Sequence, residues 1–533
     1  HWEPAVILDK GGKRGDGAMR VGIRDGRVLP LNAANWQAKR NLGLYDVVYV
    51  RVIDARTVAK PKNARGAPGA VAVGGRAELR VRPTVQGAAL VLENKTGRIL
   101  AMAGSFSYGL SQLNRTSQTQ RQPGSAMKPL TYLTALQAGL QPNTLVSDDP
   151  ITLSPVGSGA GIIAREYGSA LREEYYWSPR NADGGAGGLF TMRRGLENSV
   201  NVVTAHLLDG GISADPEKSL DEVCATAVAA KIYTDCVRYY PFVLGAQPVR
   251  MIDLAAFYAA VANEGALPKP HAIDSIEADG HTVFQYPNAP LPFIGAADRT
   301  SFYQLKTMLQ GVVARGTARA IGGLSPYVAG KTGTTEDAVD GWFVGFTNDI
   351  TIAVWVGYDN GDGKRRSLGT NATGARVALP IFEPILQAVW AQGIAPKAPL
   401  SGPSPEAKRH LVDLPIDYVS GSRIGGNQYG GQYSGQGFIE HFRVEADGKV
   451  NETQYQLVSH QDVDSTRYGE GESGSEQGWG AWGWGGRGGG TTYYQGAQQG
   501  YQPAPQRPVA RAPFQFPWSN WDDRRGFFGD RPY

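Results

Sequence analysis

Arg121-Gln122-Pro123-Gly124-Ser125-Ala126-Met127-Lys128-Pro129 is the stretch on which the reading of this chain turns. It sets a serine and a lysine three residues apart, where a turn should lead into a helix. Residues so spaced on a helix are surface neighbours, roughly 5–6 Å between Cβ atoms. The spacing therefore puts a weak nucleophile beside an amine able to take its proton. Gly124 permits the tight turn, and Pro123 favours an extended conformation before it. Pro129 falls in the first turn, where a missing N–H is tolerated. Downstream, Thr131 to Leu140 reads as helical, with Leu130, Leu133, Thr134 and Leu136 spaced to face a core. Ser-x-x-Lys alone is a weak signal, since roughly two are expected by chance in a chain this long.

The chain has 533 residues, enough for two or three domains. It is 41% hydrophobic, so a large core is within reach, but 70 Gly and 33 Pro are high. That excess gathers near the C-terminus and points to a tail. A formal net charge of +4 is too small at this length to imply nucleic acid. The most apolar helical stretch, Leu254 to Ala262, is far short of the ~20 residues that cross a bilayer. No signal peptide is visible and the chain begins at His1, so the expectation is a processed or excised portion whose anchor has been left behind. Cys224 and Cys236 are open to two readings, a disulfide in an oxidising compartment or two buried thiols. The seven histidines are scattered. No motif for a metal or another cofactor is present.

Residues 1–84 read as β-rich. Short apolar runs (Ala5–Leu8, Arg20–Ile23, Tyr45–Val52, Ala70–Val73) alternate with turns such as Asp25-Gly26, which suggests a small barrel or sandwich. A scaffold role is the main reading for it, with peptide or partner binding as the alternative. Residues 85–400 read as an α+β domain. Gly87–Glu93, Asn94–Gly97 and Arg98–Ala103 form strand, turn and strand. Helical patterns follow, with one interrupted at Ser199-Val200-Asn201, and then Tyr327–Thr335, Gly341–Phe346 and Ile350–Tyr358 form an antiparallel series. Trp177 to Gly188 is rich in turn formers and should be a surface loop of the kind that lines sites. Residues 401–533 change character. Gly426–Gly437 and Gly469–Gly500 are dominated by Gly, Tyr, Gln, Ser and Trp, so a largely disordered tail is expected, passive or able to stack its aromatics on sugars or a partner. Within it Phe438 to Val458 alternates like a strand.

Three motifs now stand in order: Ser125-x-x-Lys128, Ser199-Val200-Asn201 and Lys331-Thr332-Gly333-Thr334. Together they resemble the triple of penicillin-binding proteins and class A β-lactamases. The flanks narrow the resemblance to the C-terminal transpeptidase portion of class A, bifunctional penicillin-binding proteins. They are Arg121–Gly124, Asn114-Arg115, Pro179-Arg180-Asn181, Gly330 and Asp340–Gly345. The resemblance covers about residues 85 to 400. It implies a helical part packed on an antiparallel sheet, and 1–84 is similar to the family's small accessory β domain, OB-like in character.

The resemblance also implies roles. Ser125 is the nucleophile and Lys128 its base, which must be neutral to act. Its pKa must therefore fall well below the ordinary ~10.4, through desolvation and the second cation Lys331. Ser199 passes a proton to the leaving amine, Asn201 holds the substrate amide and orients Lys128, and Val200 has no role. Lys331, Thr332, Gly333 and Thr334 bind a terminal carboxylate, and the backbone N–H groups of Ser125 and Thr334 form an oxyanion hole. The implied reaction is D-alanyl-D-alanine transpeptidation of peptidoglycan stem peptides, with β-lactams acylating the same serine. A DD-carboxypeptidase, a β-lactamase and a non-catalytic β-lactam sensor or scaffold are the alternatives. No Glu-x-x-Leu-Asn motif for a deacylating water is present, which argues against a β-lactamase. The implied location is the periplasmic side of the bacterial inner membrane, with cell-wall synthesis regulators as partners. Two departures stand out: no motif of the family's glycosyltransferase domain is present, and Ser219 to Tyr240 is longer than the family needs.

Overall fold

The computed structural model describes residues 2–457, apart from 12–18, 33–40, 60–69, 158–175, 425–434, 451–455 and positions 55, 74, 81–82, 110, 183, 186, 362 and 445–447. The first strands are β1 (Glu3–Asp9), β2 (Met19–Ile23), β3 (Val28–Asn32) and β4 (Val47–Ile53). A hairpin of β5 (Arg56–Ala59) and β6 (Ala70–Val73) follows, and then β7 (Arg76–Arg80). The order β1-β2-β3-β7-β4 closes into a barrel. Alternation explains it: Met19, Val21 and Ile23 of β2 meet Val48 and Val50 of β4 inside, in a core separate from that of the rest of the chain. The run Ala70–Val73 is not a barrel strand. Closure falls to Arg76–Arg80, whose polar sequence hides a strand because it buries Ala77 fully and Leu79 only in part.

The second sheet has the order β14-β15-β16-β8-β9 and is antiparallel throughout. Its strands are β8 (Gln86–Glu93), β9 (Ile99–Ala103), β14 (Ala329–Thr334), β15 (Asp340–Phe346) and β16 (Ile350–Gly357). Every residue of β15 is buried, so helices must cover both faces. Tyr258 of the helix Met251–Ala262 meets Phe346 on one face, and Phe382 of the helix Leu379–Ala391 meets Phe343 on the other. The first of these helices buries every residue from Leu254 to Val261 and forms the centre of the domain.

The remaining helices that matter here are α1 (Lys128–Gln137), α2 (Met192–Glu197), α3 (Asn201–His206) and α4 (Pro216–Ala229). Arg299–Ala314 is a longer one, packed on β14 and α1. The break between α2 and α3 falls at Ser199-Val200, as the sequence suggested. Cys224 of α4 is bonded to Cys236, with Cα atoms 5.6 Å apart, so the disulfide is the reading that holds.

Part of the segment expected to be tail is ordered instead. Pro405–Lys408 is a helical turn, and β17 (Leu411–Asp417) and β18 (Gly437–Arg443) pair antiparallel. Ile416 and Phe442 are buried, and so is Glu440. The change to glycine-rich composition after residue 401 does not end the ordered chain, and β18 falls where Phe438 to Val458 alternates like a strand. β19 (Gln456–Leu457) runs parallel to β10 (Leu145–Ser147), which also pairs with β11 (Leu189–Thr191). The glycine-rich stretches around 425–434 and beyond 457 lie outside the described residues.

The disulfide closes a short loop, which limits the unfolded chain. Replacing both cysteines with serine should lower stability by about 2–3 kcal/mol in chemical denaturation. Thiol titration of the denatured wild-type protein should find no reactive thiol before reduction and both afterwards.

Candidate active site

Ser125 lies in a single 3₁₀ turn, Gly124–Met127, that runs directly into α1. Gly124 has a positive φ of 51°, and a Cβ there would stand 2.5 Å from the Thr334 carbonyl oxygen. A Cβ on Gly333 would collide with the Pro123 carbonyl oxygen in the same way. The two glycines thus let the serine turn lie against the end of β14.

Polar contacts hold the turn from several sides. The Tyr258 hydroxyl donates to Ala126 O at 2.7 Å, and Trp342 Nε1 donates to Gln122 O at 2.9 Å. Gly124 N donates to Gly245 O at 3.2 Å, and Arg121 exchanges backbone hydrogen bonds with Val249. The Arg121 guanidinium pairs with Asp340 at 2.8 Å and lies over the Trp355 ring, while Trp355 Nε1 donates to the same carboxylate. The flanks Arg121–Gly124 and Asp340–Gly345, far apart in sequence, are therefore one structural unit.

Lys128 is fully buried, with 0% exposure. Its Nζ donates to Ser199 O at 2.6 Å and to Asn201 Oδ1 at 2.7 Å, and stands 3.5 Å from Ser199 Oγ. Burial, and secondly the nearby charge of Lys331, push its pKa well below the ordinary lysine value. Among the described residues no hydrogen bond joins Ser125 to Lys128. Such contacts commonly tighten only when substrate is bound.

Ser199 adopts a φ of 61°, a left-handed conformation unusual for a residue with a side chain. It turns the chain between α2 and α3 and aims its carbonyl at Lys128. Val200, the residue before α3, offers no capping side chain. Asn181, from the loop Trp177–Gly188, does so instead: its Oδ1 accepts from Asn201 N at 3.0 Å and Val202 N at 3.1 Å. Asn181 is in turn held by Asp148 at 2.8 Å. Asn201 Nδ2 donates to Arg180 O at 2.7 Å, which leaves Oδ1 for the lysine.

Lys331 is likewise 0% exposed, and burial lowers its pKa to about 7. It lies on β14, the edge strand of the sheet, so the outer backbone groups of that strand have no partner strand. Thr332 Oγ1 meets Thr317 Oγ1 at 2.6 Å. Thr334 Oγ1 accepts from Gly374 N at 3.0 Å, which leaves its own O–H to donate elsewhere. Ser125, Lys128, Ser199, Asn201 and Lys331 thus converge, with Thr332, Gly333 and Thr334 along one edge.

Asn181, Asp148, Tyr258 and the Arg121–Asp340 pair also hold the site but were not singled out as site residues. In the sequence Asn181, Arg121 and Asp340 stand only as flanks of the motifs. Nothing in the sequence tied Tyr258 or Asp148 to the serine turn.

Known proteins share the sequence and the fold of this domain. The family model described as the penicillin-binding protein transpeptidase domain matches residues 87–219 and 246–387, just over half of the chain. The chain belongs to the penicillin-binding protein transpeptidase family. The match passes over 220–245, which holds most of α4, both cysteines and all but the first residue of Ser219 to Tyr240. Penicillin-binding protein 1A of Rickettsia conorii is 32% identical over 325 residues, covering 57% of this chain and 38% of the relative. The protein of that name from Neisseria gonorrhoeae is 30% identical over 399 residues, covering 71% and 44%. The chain therefore spans about two-fifths of the length of these class A relatives. The crystal structure of penicillin-binding protein 1A from Haemophilus influenzae has a TM-score of 0.62 at 20% identity, covering 84% of this chain and 63% of that one. This likeness concerns the fold. Among the described residues no helix is long and apolar enough to cross a membrane.

Asn181→Ala removes both cap bonds to α3 and should lower stability by about 1–2 kcal/mol. It should also loosen Asn201 and slow covalent labelling by a β-lactam per folded molecule, read by intact mass against time.

Proposed function

We propose that this domain is a serine DD-transpeptidase that cross-links peptidoglycan stem peptides. The observation that carries the reading is the fully buried Lys128 amine, held by Ser199 O and Asn201 Oδ1 beside a second buried lysine. Burial and the neighbouring Lys331 make such an amine give up its proton far more readily than an ordinary lysine, so it can act as a base.

In the proposed sequence Ser125 Oγ attacks the carbonyl carbon of the penultimate D-alanine while Lys128 takes its proton. The oxyanion that forms accepts hydrogen bonds from the N–H groups of Ser125 and Thr334, supported by the close packing of the serine turn on the end of β14. Ser199 delivers a proton to the leaving amine, the C–N bond breaks, and D-alanine departs from an acyl-enzyme. An amine of a neighbouring stem then gives up its proton to the same relay and attacks the ester, restoring Ser125 and leaving a new amide. Lys331, with Thr332 and Thr334, holds the substrate's terminal carboxylate. The open edge of β14 pairs with the extended peptide.

A β-lactam presents the same carboxylate and acyl carbon, so it acylates Ser125 and stays. The domain acts on the periplasmic side of the bacterial inner membrane, where stem peptides lie, and cell-wall synthesis regulators are its natural partners.

Incubation with a labelled penicillin should add one drug mass per chain, stable over time, and Ser125→Ala should abolish it. A product mixture from a stem-peptide donor and an amine acceptor should contain cross-linked dimer. Free acid alone would replace transpeptidation by carboxypeptidase activity, and no adduct at all would overturn the reading.

The pH dependence has a definite sign. Below the pKa of Lys128 the base is protonated and acylation falls. Above about 7 Lys331 loses the charge that attracts the drug carboxylate, so second-order acylation falls again. The profile should be bell-shaped with its alkaline limb starting near neutrality. Lys331→Ala should slow second-order acylation by roughly 10–100-fold, the worth of one charge-assisted hydrogen bond.

A further inference from the structure

The family match ends at residue 387, yet the chain continues into an ordered segment that reaches the middle of the domain. Glu440 of β18 is fully buried and clasps the buried guanidinium of Arg193, Nε to Oε2 and NH2 to Oε1, both at 2.5 Å. Arg193 belongs to α2, the helix that leads into Ser199. Its NH1 donates to Thr307 O and its NH2 also to Thr307 Oγ1, both at 2.9 Å.

Glu197, one turn further along α2, is also fully buried. It accepts from Arg315 NH2 at 2.6 Å and from the Tyr418 hydroxyl at 2.7 Å. Tyr418 follows directly on β17. The Arg315 guanidinium also lies over the Tyr418 and Phe438 rings, and Arg193 lies over Phe438. Two carboxylates and two guanidiniums thus balance where α2, the end of the helix Arg299–Ala314 and the segment after residue 401 meet.

This cluster touches both halves of the site. Ser199 follows Glu197 by two residues. Glu197 O accepts from Thr317 N at 3.1 Å, and Thr317 Oγ1 bonds Thr332 Oγ1 on the strand that carries Lys331. A shift of α2 would therefore move the groups that hold the Lys128 amine and the neighbour of Lys331 together.

We propose that the strand pair Leu411–Asp417 and Gly437–Arg443, with Tyr418, is a positioning element for acylation, in which Glu440 and Tyr418 fix α2 and through it Ser199, Asn201 and Thr332. The inference rests on the transpeptidase reading above. It assigns a role to a segment outside the matched family domain, and makes Glu440, Tyr418, Arg193 and Glu197 positioning residues that touch no substrate.

The test compares the full chain with Tyr418→Phe and Glu440→Gln. Tyr418→Phe deletes one hydroxyl and keeps the ring, so it tests the idea even if Glu440→Gln folds poorly. Glu406→Gln, which breaks a surface pair with Arg299 just ahead of the strand pair, is the control. The readouts are the second-order rate of acylation by labelled penicillin per acylatable site, and its pH profile. A misplaced catalytic group is felt steeply, so Tyr418→Phe and Glu440→Gln should acylate roughly tenfold more slowly or worse. The acid limb of the profile should move, because the groups around Lys128 have moved. Glu406→Gln should match wild type in both.

Wild-type rates and limbs in Tyr418→Phe, with only a lower thermal midpoint, would overturn the inference and leave the transpeptidase reading standing. A wild-type chain that forms no adduct would overturn both.

Discussion

The structure is built around a buried amine whose charged form its surroundings disfavour. Lys128 sits at the first position of α1 with no exposed surface, and an ammonium there would be expensive to desolvate. The surroundings tolerate the amine because a carbonyl and a side-chain amide oxygen accept its hydrogens. They favour its neutral form through burial and a second buried lysine. Much else follows from keeping Ser199 O and Asn201 Oδ1 within reach of it. The chain takes a left-handed residue at Ser199, and a capping asparagine must come from a distant loop because Val200 cannot cap α3.

The serine turn is held by the same logic, through buried polar groups that are all satisfied. Arg121, Asp340 and Trp355 form one cluster, and Tyr258 and Trp342 donate to carbonyls on either side of Ser125. Removing one partner of such a cluster strands the others, which costs more than the pair contributes. These clusters define position more than they add stability. Here they place the serine turn against an edge strand, where close approach needs glycine at 124 and 333.

The C-terminal segment repeats the pattern on a larger scale. Arg193 and Glu440 have nothing in their local sequence to mark them as core residues. Each is buried only because the other arrives from nearly 250 residues away, with Glu197, Arg315 and Tyr418 completing the set. The barrel at the other end is simpler: it has a separate apolar core and depends on ordinary alternation.

Local sequence by itself determined most of the elements and the three motifs that meet in the candidate site. Ser-x-x-Lys before a helical pattern, the break at Ser199-Val200-Asn201 and the Lys-Thr-Gly-Thr strand are written in spacing and turn chemistry, which act over a few residues. The buried helix around Tyr258 and the antiparallel series after residue 327 were legible for the same reason. Tertiary structure alone decided which strand closes the barrel, where the domain ends, and how the site is held. Arg76–Arg80 and Glu440 look like surface in isolation, and Asn181 looks like any loop asparagine. Burial of a polar residue depends on a partner distant in sequence, and a local pattern carries no information about that partner.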